Sequence, residues 1–77
     1  MTTSIGSTMK NVAITSNLAV LSAILANAAE RGADAHALML RGEQNAAIGA
    51  LLDLDAVLND AKSLYGAALA MHRSKGL

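Results

Sequence analysis

Seventy-seven residues limit the chain to one small domain, too short for a large core and in need of disulfides, a metal or oligomerisation as support. The sequence has no cysteine, which excludes disulfides and thiolate metal sites, and six acids balance six bases, so the basic excess of a nucleic-acid binder is missing. Its 53% hydrophobic content includes 17 alanines and one aromatic, Tyr65, a composition suited to thin, closely approaching helices and not to stacking on single-stranded bases.

Proline is absent and β-branched residues are few, so helix is expected throughout. Residues 1–7 read as a short polar leader, with Ser7, or Ser4 in competition, as the N-cap of a helix over about 8–30. Ile14, Leu18, Leu21, Leu25 and Ala28 recur at 4-3-4-3 spacing, a coiled-coil seam. The break follows at 31–34, where Gly32 suits the left-handed cap of the first helix and Asp34 the N-cap of the next. A second helix spans about 35–73, with a kink or break at Gly42 as the alternative. It ends at Ser74-Lys75-Gly76, with basic residues near the C-terminal dipole. The expected fold is therefore all-α: an αα-hairpin of a shorter first and a long second helix, one domain over 8–77, built for oligomeric helical packing.

Three features of this reading ask for a partner. Between Lys10 and Glu30 no residue is charged, and Met9, Val12, Val20, Ala23 and Ile24 form a second apolar side away from the leucine seam. Helix lengths of about 35 Å and nearly 60 Å would leave the second helix overhanging beyond about Ala56, its seam of Val57, Leu58, Ala61, Leu64, Tyr65, Ala68 and Leu69 uncovered. Gly42, Gly49, Ala56, Ser63 and Ala70 keep one heptad register of small residues, which permits close helix approach. The expected oligomer interface joins these features. From the first helix it takes Ile14, Leu18, Val20, Leu21, Ile24 and Leu25; from the second, Gly49, Leu54, Ala56, Val57, Leu58, Ala61, Ser63, Leu64, Tyr65, Ala68 and Leu69.

Candidate chemistry is sparse. Asp53 and Asp55 lie about 160° apart on a helix and Asp60 is two turns on, so the three acids read as a solvated side with ion pairing to Lys62. His36 and His72 stand near opposite ends of the second helix, too far apart to share a metal within one chain. His36 reads as a surface residue and His72 as an interface or core-edge group. Gly42 and Gly49 lack the Lys-Ser/Thr of a phosphate loop. No catalytic, cofactor or metal site is expected, and the chain reads as a non-enzyme.

Nineteen uncharged residues approach the length of a membrane span, but Asn11, Asn17 and Asn27 with Thr15, Ser16 and Ser22 would be costly in hydrocarbon, so insertion is not expected. The opening MTTSIGSTMK lacks the basic region of a signal peptide, which points to a cytoplasmic protein or one exported without a cleaved leader. The layout of a shorter helix, the turn Arg31-Gly32-Ala33-Asp34 and a longer helix resembles type III secretion needle and related pilus subunits. Those typically carry proline in the turn, where this chain has none. That resemblance implies a filament, needle or ring built from copies of the chain. A small homodimeric adaptor, bacterial or phage, that binds another protein through an exposed apolar seam is the alternative.

Overall fold

The computed structural model describes residues 5–74. Three helices follow in order: α1 (Ile5–Leu40), α2 (Gln44–Leu51) and α3 (Leu54–Arg73). Helices α2 and α3 form one long, bent arm that runs back along α1, and the resulting αα-hairpin measures 62 × 16 × 12 Å. The all-α hairpin expected from the sequence is the fold observed, although the turn that implies it is not where the chain reverses.

The chain reverses at Gly42, not at 31–34. Gly42 takes φ 76°, a left-handed conformation that costs an L-residue roughly 1–2 kcal/mol and glycine almost nothing. Its N–H donates to the Met39 carbonyl at 2.9 Å, and the Glu43 N–H donates to the Leu38 carbonyl at 3.0 Å. Together these bonds are a Schellman cap, which satisfies the last carbonyls of α1. Glu43 then accepts the Ala47 N–H at 3.0 Å and opens α2, while its carboxylate holds the Arg41 Nε at 2.6 Å.

The expected turn residues 31–34 instead lie inside α1. One glycine in a helix without proline is a tolerable defect of about 1 kcal/mol. The Arg31 Nε also donates to Asn27 Oδ1 at 3.1 Å, one turn back, at the start of the expected break. The start moves as well: α1 begins at Ile5, upstream of Ser7, and residues 1–4 of the expected leader lie outside the described residues.

Moving the corner equalises the arms. The first helix is not the shorter one, having 36 residues, and the second arm is not continuous. It bends at Leu52-Asp53, where the Leu52 N–H reaches only to the Gly49 carbonyl at 3.3 Å and Asp53 has φ −92°, ψ 2°. The expected overhang beyond Ala56 does not exist. Helix α1 covers the second arm to its end, where Lys10 Nζ donates to the Ser74 carbonyl at 3.0 Å.

The seam between the arms follows a heptad on both sides. In α1 the least exposed positions are 10, 14, 17, 21, 24, 28, 31, 35 and 38; in the second arm 47, 50, 54, 57, 61, 64, 68 and 71 belong to the same alternation of threes and fours. The bend at Leu52 leaves that phase intact. Ile14, Leu21 and Ala28 sit in the seam as expected. Leu18 and Leu25 do not: they are about half exposed, and Asn17 and Ile24 occupy the positions facing the second arm. The fully buried residues are three alanines, Ala35, Ala47 and Ala61, and among the described residues no large side chain is completely enclosed.

Candidate functional site

Flanking positions of a two-helix seam are written e and g; in an antiparallel pair the two e rows border one edge of the hairpin and the two g rows the other. With Ile14 and Ala47 taken as position a, the e rows read Leu18, Leu25, Gly32, Met39 on α1 and Leu51, Leu58, Tyr65, His72 on the second arm. The g rows read Val20, Asn27, Asp34, Arg41 and Ala46, Asp53, Asp60, Ala67. One edge of the hairpin is thus uncharged and rich in large apolar groups, and the other is polar.

The two edges differ in exposure as well as composition. Leu18, Leu25, Met39, Leu58 and Tyr65 are 47–58% exposed, all on the e edge. On the g edge Val20 is the one comparably exposed large hydrophobic among the described residues. There Val20, Ala23, Ile24 and Val57 floor a shallow groove rimmed by Asn27 and Asp60. Farther toward the corner, Arg31 reaches across to Asp53 at 3.9 Å, an exposed pair worth at most about 1 kcal/mol. The Asp53 partner is therefore on α1 and is not Lys62. Leu40, Ile48 and Leu52 add further exposed apolar surface around the corner, and Met9 and Val12 near the open end.

The expected interface residues divide between the inside and the outside of the hairpin. Ile14, Leu21, Ile24, Leu54, Val57, Ala61, Leu64 and Ala68 lie in the intrachain seam and are taken up by the fold. Leu69 is half-buried beside them. Leu18, Leu25, Leu58 and Tyr65 come together on the e edge, Val20 lies on the opposite one, and Gly49, Ala56 and Ser63 face outward on the back of the second arm. A Cβ placed on Gly49 would meet open space, so the small register serves no close contact inside the hairpin. Met39 and Leu51 extend the e edge beyond the expected set; their seven-residue spacing to Gly32 and Leu58 is the signal that marks them.

Asp55 and Asp60 are exposed, as are His36 and His72. Folding back places His72 level with Val12, so the histidines stand about 36 Å apart along the hairpin. Among the described residues no three His, Cys, Asp or Glu side chains are grouped to hold a metal ion. Among the described residues one buried side-chain polar atom is unsatisfied: Asn17 Oδ1, in the seam at the level of Ala68, has no hydrogen-bond partner.

By length and composition α1 is also the one described helix apolar enough to cross a membrane. In the hairpin, however, its middle is flanked by Asp53, Asp55, Asp60 and Lys62 of the second arm, charges that would be costly at bilayer depth. No family model, curated protein or solved structure matches the chain.

Proposed function

We propose that the chain is a non-enzymatic structural subunit, a helical hairpin that assembles with copies of itself into a filament or ring. The observation carrying this reading is the imbalance between inside and outside. The enclosed residues are alanines, while eleven large hydrophobic residues stay exposed among the described residues. Burying a large apolar side chain contributes about 1.5–3 kcal/mol, so a lone hairpin forgoes stabilisation comparable to the whole of a typical domain's 5–15 kcal/mol. Five of them, Leu18, Leu25, Met39, Leu58 and Tyr65, share the e edge, and apolar surface gathered in this way marks an interaction site.

Support comes from exposed surface and not from the overhang expected of unequal arms, since the arms are matched. The likeness in layout to secretion-needle subunits, which depended on that inequality, adds nothing to it.

Light scattering on the size-exclusion eluate, with negative-stain micrographs of the same fractions, tests the reading. Particles of many times the 7.8 kDa chain mass are expected, lengthening or multiplying with concentration. A single-chain mass at every concentration would overturn the reading. A closed dimer of fixed size would favour the adaptor alternative, and pelleting with phosphatidylcholine/phosphatidylglycerol vesicles would favour a membrane role.

A further inference from the structure

We infer that the uncharged e edge is the surface on which a second copy of this chain docks. This rests on the self-assembly reading and specifies one of its contacts, the one that pairs two copies; joining pairs into a filament or ring takes a second surface. Leu18, Leu25, Met39, Leu51, Leu58 and Tyr65 form two parallel rows along the edge, at seven-residue spacing in each arm interrupted only at Gly32. Folding back from Gly42 sets Leu58 level with Ala26 and Tyr65 level with Ala19. The rows therefore run side by side, Leu25 next to Leu58 and Leu18 next to Tyr65, as one continuous strip.

Two observations favour a second copy as the occupant. The first is area. The chain exposes 5497 Å², about 1,100 Å² more than the roughly 4,400 Å² of a compact monomer of its mass. A stable association buries about 800 Å² on each partner, so the excess, spread over the whole elongated chain, is of the size that one such contact covers. The second is charge. An isologous contact sets each patch against itself, which is unfavourable when the patch carries net charge. The e edge has no Asp, Glu, Lys or Arg in either row, whereas the g edge carries Asp34, Asp53 and Asp60 against the single Arg41, a net negative charge. Of the two edges, the e edge is the one that meets its own copy without like charges opposed.

The test compares glutamates on the two edges. Leu25→Glu/Leu58→Glu is expected to lower the mass of the assembled protein, while Ala13→Glu/Ala67→Glu, on the g edge (Ala13 lies seven residues before Val20), keeps the wild-type mass. Circular dichroism reports whether each variant remains helical. Because the chain has no cysteine, a second measurement uses single thiols in the otherwise native protein. Leu58→Cys should be cross-linked into dimers by a short bismaleimide severalfold faster than Asp60→Cys, whose side chain lies on the g edge. That comparison decides the matter if the glutamate variants unfold or if both dissociate. Wild-type mass in both glutamate variants, loss of assembly in the g-edge variant alone, or equal cross-linking at the two thiols would overturn the e-edge contact while self-assembly stands. A single-chain mass for the wild type would overturn both.

Discussion

Arg31 and Asp53 face each other at 3.9 Å, and they stand at equal distances in sequence on either side of Gly42. Lys10 and Ser74, joined at 3.0 Å near the open end, obey the same symmetry. The chain therefore folds about Gly42 without slip, and the bend at Leu52 does not displace the register. A corner at Gly32 would have set Arg31 beside Ala33 and left most of α3 uncovered.

That corner predicts opposite effects for two glycine substitutions. Gly42→Ala forces an L-residue into φ 76° and should lower stability by roughly 1–2 kcal/mol. Gly32→Ala lies within α1, where a Cβ meets open space, and should raise stability by up to about 1 kcal/mol. Thermal melts followed by circular dichroism distinguish them; the reverse order would return the corner to Gly32.

Helix content is legible in the sequence because it follows from composition, the absence of proline and apolar spacing, and a hairpin follows from any single tight glycine corner between two such helices. The corner is not. Gly32 with Asp34 and Gly42 with Glu43 offer similar local signals, and each can take a left-handed cap. What separates them is a long-range match: residues 10–38 and 47–71 carry complementary heptad seams, and only a corner between them pairs both in full. For the same reason, hydrophobicity places Leu18 and Leu25 in the seam, whereas pairing puts Asn17 and Ile24 there and turns the leucines to the edge. Within the expected interface, that phase separates the residues consumed by folding from those left outside.

The buried alanines set the spacing of the arms. Ala47 is 1% exposed and Ala61 is 7%, so Ala47→Leu or Ala61→Leu should force the helices apart and cost about 1–3 kcal/mol. Ala56→Leu, on the exposed back of the second arm, should change hairpin stability by less than about 0.5 kcal/mol. Its effect on assembled mass is a separate readout: reduced mass with an unchanged melt would assign the small register a contact between copies, and unchanged mass would leave it outside the assembly.

Asn17 predicts a stabilising substitution. Its Oδ1 is buried without a hydrogen-bond partner, and an unsatisfied buried acceptor costs about 1–3 kcal/mol. Asn17→Leu should therefore raise the melting temperature. A polar residue inside a helical seam can also fix register at a cost in stability, so the same variant should populate more than one assembled size. A lower melting temperature would mean that the amide is satisfied once copies associate.

Salt separates the two edges without any mutation. A contact along the e edge has no formal charge to screen, so assembled mass should hold steady between roughly 0.05 and 0.5 M NaCl, a range over which the Debye length falls severalfold. Sulfate, which strengthens apolar burial by exclusion from protein surface, should shift the distribution toward larger species at equal ionic strength. A contact through the g edge behaves differently, because Asp34, Asp53 and Asp60 lie along it with Arg31 and Arg41. Attraction between those groups on neighbouring copies would weaken as NaCl rises, and repulsion among the acids would ease. Light scattering across the two salt series therefore reads the edge in use: a mass insensitive to NaCl but raised by sulfate fits the uncharged strip, and a mass that follows NaCl in either direction moves the contact to the polar side.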